Sequence, residues 1–504
     1  MTLSDIGDPP SEARTPTEES DPTLSPVDPR RWWALGVIAI AQLMVVLDAS
    51  IVTIALPSAQ RALDISDADR QWMVTAYTLT FGGLLLLGGR IADYTGRKKA
   101  FVIGLAGFAA ASALGGAAQS GLTLFGARAL QGAFAALLAP AALSMISVMF
   151  TDARERARAF GVYGAISGGG AAIGLILGGV LTEYASWRWC LLVNVPIALF
   201  AALASLPLVK DSRAHGDTRY DVPGAVLVSA GLAALVYGFT EAAKPGSGWT
   251  DGSTVGWLAG AAVLLLAFVV WELRTSHPLL PMRIVLDRNR GAALGGSLLV
   301  GAGLFAMFLF LAYYMQQNLG YSALKSGFAF LPFSAGIVVS ATVASSLLPR
   351  VGPKVLTVVG GVLATVGLAY LVTLTETTSW SAHVLPAEIL ISLGLGLFFV
   401  STSSLALTNI GEHDAGVASA LLNTSQQLGG ALGTALLNTL FASAVSAYLV
   451  DHPSAAAASA ASIHGYHVAF AVGAGLIGVA TVLTLIMINT RKSDVTAEAA
   501  LVHA

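Results

Sequence analysis

Apolar residues in this chain come in runs of about twenty, the length a helix needs to cross roughly 30 Å of hydrocarbon at 1.5 Å per residue. Fourteen such runs stand out, at about 32–56, 70–92, 100–119, 122–149, 156–184, 189–209, 222–241, 255–274, 291–317, 324–348, 353–374, 382–409, 416–446 and 464–490. The connections are short and polar, none longer than about twenty residues, which leaves no room for an extramembrane catalytic domain. The pattern predicts an all-α integral membrane protein with fourteen transmembrane helices. Residues 1–30 hold six prolines and seven acidic residues without an apolar run, the make-up of a solvated tail and not of a signal peptide. The first span is therefore expected to remain in the protein.

Basic residues give the orientation, because positive loops stay on the cytoplasmic side. With the N-terminus inside, 21 Lys and Arg fall in inner connections and tails, and only Arg61, Arg70, Arg188, Lys244 and Lys325 fall outside. Both termini are expected in the cytoplasm and the chain in the cell membrane. Two segments also repeat at a fixed offset. Shifted by 256, Gly96, Lys98, Val102 and Gly104 meet Gly352, Lys354, Val358 and Gly360; shifted by 259, Gly170 and Gly174 meet Gly429 and Gly433. Internal symmetry of this kind marks many transporter folds. The expected organisation is a tail (1–30), a six-helix half (31–210), an inserted pair of helices 7 and 8 (211–275), a second six-helix half (276–490) and a tail (491–504).

Composition narrows the function. Only 11% of the 504 residues are charged and 55% are hydrophobic, so lipid is the natural solvent. A net charge of −2 gives no footprint for nucleic acid. Cys190 is the single cysteine, which excludes an intrachain disulfide or a Cys-rich metal site. No phosphate-binding loop of the G-x-x-x-x-G-K-[ST] form occurs, and no cofactor or metal is expected.

The connection between spans 2 and 3 reads Gly88-Gly89-Arg90-Ile91-Ala92-Asp93-Tyr94-Thr95-Gly96-Arg97-Lys98-Lys99. The glycines, Gly89 and Gly96 among them, permit a tight turn, Asp93 can cap or accept from a neighbouring helix N-terminus, and the arginines can pair with carboxylates across a helix interface, so that this loop, with Asp93, Arg97 and Lys98, is expected to act as a charged clasp at an inner gate. The alternative is an ordinary positive-inside loop, which would account for the lysines but not for the whole pattern.

This loop resembles the signature of the major facilitator superfamily. Leu47-Asp48-Ala49-Ser50-Ile51-Val52-Thr53-Ile54-Ala55-Leu56-Pro57 is similar to a motif of its fourteen-span drug:proton antiporter branch, as are Trp72 to Tyr77, Arg128-Ala129-Leu130-Gln131-Gly132, and Trp187-Arg188-Trp189 through Asn194-Val195-Pro196. The likeness covers roughly residues 30–490. It departs at Ser50, at Thr53 and at Gly174-Leu175, where relatives often carry Thr, Asn and a Gly-Pro pair. The resemblance implies a major facilitator fold, and proton-driven export of small lipophilic compounds such as antibiotics by alternating access. It also implies a monomer whose partners are substrate, protons and lipid, with Trp72, Tyr77 and Gln131 near the substrate cavity.

From physics alone, Asp48 is the most informative residue. A carboxylate in hydrocarbon costs on the order of 3 kcal/mol even on insertion scales, so it is expected to have a partner. Arg128 lies at matching depth, about 9 Å below the outer end of its span against about 12 Å for Asp48. Burial raises an Asp pKa and an adjacent Arg lowers it, so moving between such environments couples a proton to shape. A pair that only fixes helix packing is the competing view. Glu388 is a second buried-acid candidate.

Gly170, Gly174, Gly178 and Gly179 belong to a small-residue ridge on span 5, either a rocking surface between halves or static close packing. Tyr314, Gln316 and Gln317 end span 9, where they would line a cavity for lipophilic cations or form an interfacial belt. His467 reads as a satisfied interfacial side chain. Other functions to weigh are symport or export of one endogenous metabolite and, from a different class, an intramembrane lipid-modifying enzyme, for which no nucleophile or metal constellation is found.

Overall fold

In the computed structural model, residues 30–150, 152–213, 221–244, 246–408, 412–454 and 457–489 are described; both expected tails otherwise lie outside them. The described residues form fourteen long helices: α1 Arg31–Ala62, α2 Trp72–Thr95, α3 Arg97–Gly116, α4 Gly121–Met149, α5 Ala153–Tyr184, α6 Trp189–Leu208, α7 Val222–Ala242, α8 Gly252–Arg274, α9 Arg288–Asn318, α10 Ala323–Val351, α11 Pro353–Leu371, α12 Trp380–Leu407, α13 Glu412–Asp451 and α14 Ala457–Met487. Thirteen are long and apolar enough to cross a membrane, and α5 adds a shorter apolar stretch, Gly169–Tyr184. No strand occurs among the described residues.

Local chemistry sets the ends. Ser120, Asp221, Asp251, Asp287 and Ser322 each accept a backbone N–H of the first turn they precede, satisfying a donor the helix leaves free. Gly96 (φ +114°) and Gly352 (φ +82°) occupy backbone that side chains avoid, and each joins two helices with almost no intervening loop. These are the glycines related by the offset of 256. Within α10 the helix breaks at Phe330, because Pro332 brings no N–H to the ladder.

The packing repeats as the sequence does. In the first half α1 packs on α5, α2 on α4, α3 on α4 and on α6; in the second, α9 packs on α13, α10 on α12, α11 on α12 and on α14. The glycine matches follow the same symmetry: a side chain at Gly174 would meet Leu47 of α1, and one at Gly433 would meet Ala302 of α9. The halves touch along α2 against α13 and α5 against α10. The inserted α7 covers the first seam, where Gln71 donates to Thr240 (2.7 Å) and Thr439 to the Phe239 carbonyl (2.7 Å).

We call the end where α1 finishes the tip, and the end where it starts the base. Most described hydrogen bonds between the halves lie at the tip: Gln316 to the Ile54 carbonyl (3.0 Å), the Leu324 N–H to Glu183 (3.0 Å), and Arg70 to Asn438 (3.0 Å). At the base, Arg90 reaches the Pro278 carbonyl (2.7 Å) in the segment that enters the second half. The molecule is thus fastened at its tip.

Candidate functional site: a buried carboxylate network

Asp48 is fully buried in α1, and Arg128 of α4 is only 2% exposed. Arg128 Nη1 donates to Asp48 Oδ2 at 2.6 Å. The other oxygen, Oδ1, accepts from Asn194 Nδ2 of α6 (2.7 Å) and Gln131 Nε2 of α4 (3.1 Å). Gln131 Nε2 also donates to Ser112 Oγ of α3 (2.7 Å), and its Oε1 accepts from Arg128 (2.8 Å). Arg128 Nε donates to the Met73 carbonyl (2.9 Å), and the guanidinium lies over the Tyr77 ring at 4.5 Å. Three donors on one carboxylate, one of them charged, offset the loss of water that burial imposes. A small void of about 10 Å³ beside Arg128 is otherwise bounded by apolar side chains, among them Met73, Leu124 and Trp187.

Helices α4 and α6 therefore converge on the carboxylate of α1, and α2 and α3 join the network through Arg128 and Gln131. Asp48 and Arg128 pair directly, and Gln131 and Tyr77, expected at the substrate cavity, lie in this network. Asn194 and Ser112 went unassigned by sequence reasoning. Asn194 was visible only as part of a motif, with nothing to say that its amide points at Asp48.

The remaining cavity candidates do not converge on one space. Trp72 is half-buried at the start of α2. Tyr314 is buried in an aromatic cluster and donates to the Thr375 carbonyl (2.9 Å). Gln316 crosses to the first half, as described, and Gln317 is exposed. Glu388 is fully buried, with neither carboxyl oxygen hydrogen-bonded among the described residues. Gly336 faces Ser392 and Gly396 faces Ser340, a register that sets Glu388 level with Pro332 at the break in α10. His467 is satisfied, Nε2 lying 2.6 Å from the Leu374 carbonyl.

In the loop between α2 and α3, Arg97 pairs with Asp93 four residues earlier at 2.9 Å. Lys98 Nζ donates to the Leu206 carbonyl (2.6 Å) and the Arg97 N–H to the Ser212 carbonyl (3.0 Å). A Cβ at Gly96 would lie 2.8 Å from Asp211 Oδ1, so the missing side chain admits that carboxylate. Gly96 breaks the helix between Asp93 and Arg97, so their pair bridges the end of α2 and the start of α3, and the other two contacts tie the loop to the end of its own half.

The glycine ridge divides between two partners. Gly170, Gly174 and Gly178 lie against α1, where an added Cβ would stand 3.1 Å from Leu43, 2.9 Å from the Leu47 carbonyl and 2.8 Å from the Ile51 carbonyl. That face is packing within one half. Gly179, one position on, faces the other half, 2.6 Å from the Leu324 Cα by the same measure, and Gly327 of α10 lies against the Leu175 carbonyl.

A family model described as Major Facilitator Superfamily matches residues 38–434. The chain is similar to a puromycin resistance protein of Streptomyces alboniger, 51% identical over 471 residues and 92% of each chain. It is similar also to a cephamycin export protein of Amycolatopsis lactamdurans, 39% identical over 82% of this chain and 85% of the relative. Among solved structures, a bacterial homologue of the human lysosomal transporter Spinster, inward-facing and unoccupied, superposes with a TM-score of 0.65 at 15% identity, over 91% of this chain and 97% of that one.

Proposed function

This chain belongs to the Major Facilitator Superfamily, and we propose that it exports small lipophilic antibiotics from the cell in exchange for protons. It is a multi-pass membrane transporter of small molecules; the finer reading is ours. The single observation that carries it is Asp48, an acid wholly shielded from water and matched by Arg128, Asn194 and Gln131 in the heart of the first half.

Ionised, Asp48 uses both oxygens to bind α1 to α4 and α6. A proton on either oxygen turns an acceptor into a donor, breaks at least one of these bonds and leaves Arg128 without its counter-charge. The tie between the three helices then depends on protonation, which is what exchange of a proton for substrate requires. Entry of each proton down the membrane potential supplies about 2.3 kcal/mol per 100 mV. Residues 31–210 and 276–490 would rock about the α2/α13 and α5/α10 seams, with 211–275 as an inserted pair and Gly89, Asp93, Gly96, Arg97 and Lys98 forming the loop that gates the base.

The reading places the base in the cytoplasm with both termini, in line with 21 basic residues on that side against five. The protein works as a monomer in the cell membrane, since both halves lie in one chain, and does so as a transporter and not an enzyme. Its relatives' names make puromycin the first compound to try. In proteoliposomes under an imposed pH gradient, the parent protein should accumulate puromycin and Asp48→Asn should not rise above empty vesicles. Full accumulation by Asp48→Asn would remove this acid from the coupling.

A further inference from the structure

Arg70 leaves the first half and is buried in the second. It stands at the turn before α2, is 2% exposed, and holds its guanidinium 4.3 Å from the Tyr313 ring of α9 and 4.7 Å from the Phe441 ring of α13. Both rings belong to a continuous aromatic cluster, with Phe441 5.1 Å from Tyr466, Phe310 5.3 Å from Phe441 and Tyr314 5.8 Å from Tyr466. Every ring comes from the second half and the cation comes from the first. Nε donates to Asn438 (3.0 Å), whose own amide returns to the Asp67 carbonyl (2.9 Å).

The box holds its cation without a buried anion. Among the described residues the one carboxylate on Arg70 is Asp67, at 3.4 Å and with its side chain 66% exposed. Among the described residues, Arg70 Nη2 has no hydrogen-bond partner, and neither has the Tyr313 hydroxyl. Attraction to the electron-rich ring faces therefore carries the site, and such faces favour delocalised, weakly hydrated cations. A guanidinium left with an unmade hydrogen bond is also an occupant at a cost, hence one that can be displaced.

We propose that the Tyr313–Phe441 box, backed by Tyr466, is a recognition site for the cationic group of a lipophilic substrate, and that Arg70 is its built-in competitor. When the halves part at the tip, Arg70 withdraws with α2 and the box opens to the space between them. When the tip closes, Arg70 returns and drives the bound cation out. Release is thereby linked to closure, by a contact separate from Asp48. The inference rests on the export reading above and deepens it, since it names the charge of the substrate.

Equilibrium binding of tetraphenylphosphonium to the purified full-length chain in detergent tests this. Arg70→Gln should bind the cation at least about fivefold more tightly than the parent, because an internal occupant taxes affinity by the fraction of sites it fills. Arg70→Lys, which keeps the charge on a more strongly hydrated head group, should fall between the parent and Arg70→Gln. Asn438→Leu, which removes the amide on the guanidinium together with its bond to the Asp67 carbonyl, should gain in the same direction as Arg70→Gln and covers the case in which that variant fails to fold. Adding Tyr313→Leu and Phe441→Leu to either gaining variant should abolish the gain. Parent-like binding by both gaining variants, or a gain that survives loss of both rings, overturns the proposal. Neither result touches the pH-gradient experiment, so the box can fail while export stands, and the reverse.

Discussion

Arg128 offers a sharper stability test than Asp48, because removing it strands a fully buried carboxylate. Breaking a buried ion pair from one side costs about 3–5 kcal/mol, so Arg128→Ala should lower the melting temperature in detergent markedly. The double variant Asp48→Asn with Arg128→Leu should recover much of that loss, since neither unpaired charge then remains. If both variants melt with the parent, the network adds nothing to the fold. The pair was legible in sequence because charges inside spans are rare and expensive, so two at matched depth pointed to each other. Asn194 and Ser112 were not, because an amide or hydroxyl is common within spans and satisfies itself in many ways. Arg70 was hidden for another reason. Its place at the outer end of a span reads as an ordinary interfacial cation, and only the fold brings Tyr313, Phe441 and Asn438 around it.

At the scale of elements, close approach of α1 and α5 depends on the absence of side chains. An added Cβ at Gly174 would stand 2.9 Å from the Leu47 carbonyl, whereas one at Gly169 would meet nothing within 4 Å. Gly174→Val should therefore cost about 1–3 kcal/mol by overpacking. Gly169→Ala should leave thermal stability unchanged in the same melting assay, and equal effects at the two sites would contradict the packing described here. Spans were readable as length and apolarity, and the small-residue ridge as a spacing of four. Which neighbour each face met was not, because Gly178 and Gly179 differ by one residue, about 100° around the helix axis, and so belong to different interfaces. Likewise, the aromatic and amide residues ending α9 shared a polar character in sequence. The turn at Tyr314–Asn318 sends Tyr314 into the core, Gln316 to the other half and Gln317 to the surface.

For the whole molecule, the repeat at offsets of 256 and 259 was visible because positive-φ glycines and helix-contact glycines tolerate few replacements. It carried the equivalence of the packing in α1–α6 and α9–α14, but not the place of the inserted pair, whose α7 lies on the α2/α13 seam. Nor did it show which end is fastened, since closure of the tip depends on contacts between residues as distant as Arg70 and Asn438.

The central claim is that Asp48 gives up a proton when substrate is taken up and regains it for the return. Proton release on mixing puromycin with purified protein in weakly buffered detergent, followed with a pH-sensitive dye, measures this without a membrane. The parent should release protons in proportion to the puromycin bound, and Asp48→Asn should bind puromycin while releasing none. Equal release from the two proteins at equal occupancy would place the exchanged proton elsewhere.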